Sequence, residues 1–520
     1  MKTKRAENAA RNIVYGLLLR LYQILMPFLM RSAILWFLGV EYLGLGSLFS
    51  SILQILNLAE LGVGSAMVYS MYEPIVKEDT QMICALLKLY RKYYRIIGLF
   101  ICVTGLILMP FLPQMIRNDI PGDLNLYILY LLNLAATVLS YLFFAYRASI
   151  LVAMQRSDII SKINLASSTL MYVFQICALA LMKNYYIYFA GSLLAQLLNN
   201  ISAAVIAGKR YPDYIPHGNT DKKIRERIGQ RIRDLFTSRL GYVIVNSADA
   251  IVISAFLGLK LLAVYQNYFF ILSSISGFIL VIFQSCTAGI GNSLITETKE
   301  KNYGDLKVFS FLIQWAAGFC TCCMFCLYQP FMTLWVGEEL KLKFSAVICF
   351  CIYFYVYEIN QLLNTYKDAA GIWHKDRFRT LVTALTNLVM NLLTVRYWGI
   401  YGVILSTVIS TVCIGMPWLL WNLFTTLFPK DYLKSYLKNI LNHSAVTAAV
   451  CVICYHVCNM VKSIGVGGFI IRISLCAFIP NLLFWTVYRK RNEFSRSILL
   501  LDRLTGKKLR LYNVFHINRG

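Results

Sequence analysis

Charge is what this chain has least of. Only 14% of its 520 residues are charged against 58% hydrophobic, and acids are the scarcer sign, 25 against 50 Lys and Arg. A soluble chain of this length would carry more, so the composition points to the bilayer. Also missing are the short motifs of chemistry. No phosphate-binding glycine loop, nucleophile elbow or zinc-protease motif stands in any polar segment. That disfavours an ATP-driven pump and leaves an ion gradient, the membrane potential or no coupling at all. Long polar segments are absent too: none exceeds about 30 residues, below the size at which a chain folds unaided. The largest outer ones, near 113–123 and 330–343, give an external catalytic domain no room.

What is there is apolar sequence in blocks of about 20 residues, the length that crosses a bilayer as a helix. About fourteen such blocks centre near Leu25, Leu58, Val103, Ala135, Gln175, Ala195, Ala248, Ser276, Phe319, Tyr355, Val389, Thr411, Cys451 and Phe478. The fold expected is an all-α polytopic membrane protein. The first block, about 12–40, lacks a small-residue cleavage site and is too long for a signal-peptide core, so it reads as an uncleaved span.

With both termini on the cytoplasmic side, the outer side receives only Arg117, Lys183, Lys260, Lys341, Lys343, Arg396 and Lys462, and the helices only Arg20, Arg31, Arg239 and Arg472. All other basic residues fall inside, as the positive-inside rule requires. The formal charge of +25 therefore does not signal nucleic acid. Its clusters, "KKIRERIGQRIR" (222–233) and "RKRNEFSR" (489–496), flank spans and suit anionic lipid headgroups.

The 15 cysteines lie mostly in apolar runs, such as Cys320, Cys322, Cys323 and Cys326 in one and Cys451, Cys454 and Cys458 in another. A metal site needs four ligands converging from a polar pocket, so these are expected to be small residues at helix contacts. No metal or cofactor is expected.

Sliding the chain against itself by 219 positions lays "LGVEYLGLGSLFSSIL" (38–53) on "LGLKLLAVYQNYFFIL" (257–272). A shift one residue longer lays Pro110-Phe111 on Pro330-Phe331. Spans one to six and seven to twelve are thus expected to be two pseudo-symmetric lobes in the same orientation, with spans thirteen and fourteen appended. The divisions expected are 1–208 for the N-terminal lobe, a basic Pro-containing linker at 209–230, 231–428 for the C-terminal lobe, and 429–520 for the last two spans and a basic tail. Two lobes on one linker is the plan of a rocking transporter with its substrate site between them.

Polar residues inside the spans mark candidate sites. On the first span Asn12, Gly16, Arg20, Gln23, Pro27 and Arg31 recur every three or four residues and share a face. Arg20 and Arg31 are three turns apart, about 16 Å. A charge at that depth faces a wet cavity or a partner, because facing lipid costs from a few to over ten kcal/mol. For Arg31 three readings stand: it snorkels to the outer headgroups, it pairs with Glu60 or Asp249, or it lines a cavity and binds an anion. The seventh span repeats the stripe with Arg239, Tyr242, Asn246 and Asp249, Arg20 falling on Arg239 under the 219 shift. Substrate contact is expected from Arg31, Arg20, Arg239, Gln23 and Asn246. Asp249 is a candidate H+ or Na+ site or a fixed counter-ion. Glu60, sharing a face with Asn57 and Gly64, is a candidate for the same roles or a polar tie between helices. Glu358, Asn360, Gln361 and Asn364 read as a solvated helix end.

The run "PFLMRSAILWFLGVEYLGLGSLFSSILQILNLAELGVGSAMVYSMYEPIVKED" (27–79), followed by "LYRKYYRIIG", resembles the N-terminal half of the Wzx-type polysaccharide flippases. Those belong to the multidrug/oligosaccharidyl-lipid/polysaccharide exporter superfamily. "NSADAIVISAFLGLKLLAVYQNYFFIL" (246–272), "AGIGNSL" (288–294), "PFMTLWVGEE" (330–339) and "GIYGVILSTVIS" (399–410) fit the same pattern, so the resemblance covers most of the chain. It implies transport of undecaprenyl-pyrophosphate-linked oligosaccharide across the bacterial cytoplasmic membrane, for surface polysaccharides such as O-antigen or capsule, by alternating access through a cationic cavity. Arg31 and the Leu-Gly and Glu-Leu-Gly motifs match the family's pattern. The partners implied are that lipid-linked glycan, membrane lipids, H+ or Na+ and other polysaccharide-assembly proteins. The rivals are an ion-coupled drug exporter of the same superfamily, which would prefer cavity carboxylates to arginines, and a polytopic glycan polymerase or ligase, which the short outer loops disfavour. A scaffold for glycan-assembly enzymes has no positive feature behind it.

Overall fold

Every one of the fourteen apolar centres falls on a helix. In the computed structural model the described residues are 2–117, 120–461, 463 and 465–504, with side chains described for all of them except 2–10, 13, 17, 234, 238, 239, 242, 246, 284, 285, 288 and 501–504. No strand occurs among the described residues.

The helices are α1 (Lys2–Phe37), α2 (Val40–Val76), α3 (Thr80–Leu108), α4 (Leu126–Leu142, continued by Ala145–Ala153), α5 (Ser157–Cys177), α6 (Tyr185–Arg210) and α7 (Lys222–Leu257). They continue with α8 (Leu259–Thr296), α9 (Lys299–Val336), α10 (Phe344–Ala369), α11 (Arg379–Trp398), α12 (Ile400–Thr426), α13 (Tyr432–Asn459), α14 (Val466–Tyr488) and α15 (Asn492–Leu504). Among the described residues twelve spans are long and apolar enough to cross a bilayer, or 13 if α4, bent by 52°, counts as one. Among the described residues α7 contributes a shorter apolar stretch, Val243–Leu257.

Helix starts follow local chemistry. The carboxylate of Asp79 accepts from Met82 N at 2.9 Å to open α3. Asn125 and Asn184 do the same for α4 and α6, each accepting from two backbone N–H groups. The two Leu-Gly pairs aligned by the 219 shift act alike, since Gly39 (φ +119°) and Gly258 (φ +93°) take positive-φ conformations that favour glycine just past the ends of α1 and α7.

The chain divides into two compact units, Met1–Gln266 and Asn267–Gly520. In the first, α1 packs on α5, α2 on α7, α4 on α3 and α6, and α5 on α6. In the second, α9 is the hub and touches α10, α13, α14 and α15, while α10 and α11 pack on α12. The most apolar window of α10 is 61% buried and that of α14 only 17%, which makes α10 a central helix and α14 a peripheral one. An aromatic cluster fixes α14 to α9: Trp315 lies against Phe484 and Tyr488, and its indole N–H donates to Asn481 Oδ1 at 2.9 Å.

Candidate functional site

Helix α1 has two opposed sides. Val14, Leu18, Leu21, Leu25, Leu29 and Trp36 form an exposed apolar row. Gly16, Arg20, Gln23, Pro27 and Arg31 form the other row, and at 3.6 residues per turn the two rows are centred about 180° apart. An exposed row of large apolar side chains is what lipid covers, so the guanidinium groups point away from it. Arg20 and Gln23 are exposed, Pro27 and Arg31 half-buried.

Arg31 lies beside Tyr188 of α6. Its neighbours along the helix, Met30 and Ile34, anchor this end of α1 in a core cluster with Leu43, Leu179 and Ala263, against which Tyr42, Tyr172 and Tyr188 pack. Tyr185 stacks on Tyr188 with centroids 5.5 Å apart and meets Tyr42 edge-on at 5.1 Å. Gln175 Nε2 donates to Tyr188 O at 3.2 Å and Ser192 Oγ at 3.0 Å, tying α5 to α6. The arginine therefore stands at a wall of tyrosines with aromatic faces and polar tips.

Asn12, at the other end of the stripe, has a structural task. Its side chain donates to Gln155 O at 3.1 Å and accepts from Asp158 N at 2.7 Å. The buried Asp158 is held in turn by Arg156, Nε to Oδ1 2.8 Å and Nη2 to Oδ2 3.0 Å. This network pins α1 to the turn between α4 and α5.

Helix α2 breaks at its polar residues. Asn57–Glu60 is a 3₁₀ turn, followed by Gly62 at φ +88°. A β-carbon on Gly62 would come within 2.5 Å of Leu235 Cβ of α7, so only glycine fits. The break exposes Glu60 to α3: Tyr94 donates to its Oε1 at 3.4 Å, Tyr90 donates to Tyr94 at 2.6 Å, and from α4 Tyr141 donates to Asn57 Oδ1 at 3.2 Å.

On α7, Asp249 is buried with the Tyr265 hydroxyl 3.4 Å from its Oδ2. Two residues earlier Ser247 donates to Gln54 of α2 at 3.0 Å. The side chains of Arg239, Tyr242 and Asn246 lie outside the described residues.

The solvated helix end expected at Glu358 is corrected: this residue is 0% exposed. Neither carboxylate oxygen has a hydrogen-bond partner among the described residues, and the Ser276 hydroxyl of α8 lies beside it equally unsatisfied. The signal was its depth, directly behind the apolar run "CFCIYFYVY" (349–357). Asn364 is half-buried and accepts from Arg379 Nη2 at 2.8 Å, beside the buried ion pair of Arg379 with Asp376.

Over residues 9–287, more than half its length, the chain matches the sequence profile of a family described as polysaccharide biosynthesis protein. The chain belongs to that family. A comparison with curated protein sequences finds no match. Among solved structures this polysaccharide biosynthesis protein is similar to the lipid II flippase MurJ in an inward closed conformation, with a TM-score of 0.60 at 13% identity over 92% of this chain and 99% of that one. It is similar too to a multidrug resistance MATE transporter of the MOP superfamily, inward-facing, with a TM-score of 0.63 at 14% identity over 80% and 99%. A point mutant of the Vibrio cholerae MATE transporter VcmN gives 0.52 at 14% over 83% and 98%. Identities this low establish the fold. The family match agrees with the polysaccharide family expected from the motifs, these solved structures, a flippase and transporters, share the fold, and the chain is a multi-pass membrane protein.

Proposed function

We propose that this protein carries an undecaprenyl-pyrophosphate-linked oligosaccharide from the inner to the outer leaflet of a bacterial cytoplasmic membrane. The observation that supports this most is the placement of Arg20, Gln23 and Arg31 on the side of α1 opposite its lipid-covered row. A pyrophosphate cannot enter hydrocarbon bare, whereas a guanidinium offers permanent charge and several donors in a fork matched to phosphate oxygens. Arg20 and Arg31, about 16 Å apart along the helix, give the headgroup two stations at different depths. The tyrosines beside Arg31 suit sugar rings, having apolar faces and hydroxyl tips. The polyprenyl tail stays in lipid throughout, and affinity at each station is modest, so that the pyrophosphate leaves again.

Coupling is assigned to carboxylates inside the membrane. Asp249 and Glu60 remain candidates, and Glu358 joins them because a buried carboxylate with no hydrogen-bond partner among the described residues has the means to take up and release a cation as its surroundings change. Those same carboxylates favour the second reading, an ion-coupled exporter of cationic molecules, against which the arginines of α1 stand.

The test is transport by the purified protein in vesicles, using a fluorescent undecaprenyl-pyrophosphate glycan and, in parallel, a cationic dye. Movement of the glycan alone supports the flippase. Movement of the dye alone overturns it in favour of the exporter.

A further inference from the structure

Six buried cysteines converge where α9, α13 and α14 meet: Cys322, Cys326, Cys451, Cys454, Cys458 and Cys476. Within this group Cys326, Cys458 and Cys476, one from each helix, hold their sulfurs within 4.8 Å of one another. The Cys458 and Cys476 sulfurs are 3.6 Å apart. Further along, the Cys322 and Cys451 sulfurs approach to 3.2 Å, with Cys454 beside Cys322. Packing alone asks for small side chains at these positions and does not ask that three sulfurs point at one spot.

We propose that Cys326, Cys458 and Cys476 form a three-coordinate site for Cu(I). With metal–sulfur bonds of about 2.3 Å, the sulfurs of a trigonal site stand about 4 Å apart, close to the spacing found here. No carboxylate or imidazole completes the group among the described residues. Zinc, which takes four ligands in structural sites, and hard oxygen-seeking cations are therefore poorly served, while soft thiolates select Cu(I). The three residues are at most 5% exposed, so an excess of thiolate charge needs an offset. Arg472 of α14 supplies it, donating from Nη2 to Val461 O at 2.9 Å and from Nε to Cys458 O at 3.4 Å. Each thiol releases its proton to solvent as its copper–sulfur bond forms, and copper stays monovalent, so no oxidant or reductant enters. The bound ion staples the peripheral α14 to α9 and α13. Cys322, one turn from Cys326 along α9, and Cys451, two turns from Cys458 along α13, form a second sulfur pair beside it.

The test uses the full-length protein in detergent under anaerobic conditions, titrated with Cu(I) as its bicinchoninate complex, whose colour reports copper withdrawn. The wild type is expected to take one equivalent. Cys326→Ser, Cys458→Ser and Cys476→Ser are each expected to weaken binding by more than the roughly 10–100-fold that loss of an outer partner costs. Cys413→Ser, at an exposed position, is expected to change nothing. X-ray absorption of the copper-loaded wild type needs no variant and is expected to show three sulfurs at one distance. No copper withdrawn by the wild type, copper held equally well after Cys458→Ser, or fewer than three sulfurs in the absorption spectrum would each overturn the site.

Discussion

Gly44 of α2 lies so close to Leu259 that a β-carbon on it would overlap the Leu259 carbonyl. The contact seats α2 at the start of α8, and it explains the glycine in "EYLGLG" by space rather than by backbone conformation. Gly44→Ala is expected to cost about 1–3 kcal/mol through overpacking, and Gly44→Val more. Gly16 of α1 provides the opposite sign, because among the described residues nothing lies within 4 Å of a β-carbon built there. Gly16→Ala is expected to gain about 0.5–1 kcal/mol from helix propensity. Denaturant unfolding in detergent checks both, and equal effects of the two substitutions would contradict the packing argument.

Arg379 and Asp376 form a buried bidentate pair, 2.7 and 2.9 Å, each residue 3–4% exposed. Asn364 accepts from the guanidinium at 2.8 Å, and Asn422 donates to the carboxylate at 3.1 Å. Arg379→Met leaves a buried carboxylate short of its main partner and is expected to cost about 3 kcal/mol, the low end of the usual range because Lys367 still faces Asp376 at 3.7 Å. Lys77→Ala breaks the exposed Glu73–Lys77 pair, and thermal unfolding is expected to show no change.

Glu358 is buried without a hydrogen bond among the described residues, so its ionised form carries a desolvation cost with little to offset it. Glu358→Gln keeps the shape and removes the charge. The variant is expected to be as stable as the wild type or more so, while transport loses its dependence on an imposed ion gradient and on pH. Gradient-dependent transport at the wild-type rate in Glu358→Gln, measured in the same vesicles, would remove Glu358 from the coupling role.

Hydropathy windows were enough to find the helices, since every expected centre, from Leu25 to Phe478, lies on one. They could not find the breaks. The 3₁₀ turn at Asn57–Glu60, the bend of α4 at Phe144 (φ +56°) and the π turns at Ala178–Met182 and Thr411–Gly415 each alter one turn of hydrogen bonding, which an average over about 20 residues smooths away. The polar stripe of α1 was legible because a three-to-four spacing on one helix fixes which residues share a side. That Asn12, at its near end, ties α1 to the α4–α5 turn was not legible, because its partners are distant in sequence. Contacts between helices were not legible at all. The spacing of Cys322, Cys326, Cys451, Cys454 and Cys458 says which thiols share a face, but only packing brings Cys476 of α14 to meet them. Glu358 was misread for the same reason, because the helices that bury it come from distant sequence.

The measurement that tests the central claim most directly is flipping of the fluorescent lipid-linked glycan by Arg31→Ala in vesicles, beside wild type, Arg31→Lys and Leu25→Ala. Leu25 stands on the lipid-covered row of α1, so its variant controls for insertion and helix packing. The account predicts loss of transport in Arg31→Ala with normal insertion, partial transport in Arg31→Lys because an ammonium keeps the charge without the fork, and near wild-type transport in Leu25→Ala. Wild-type transport by Arg31→Ala would contradict it.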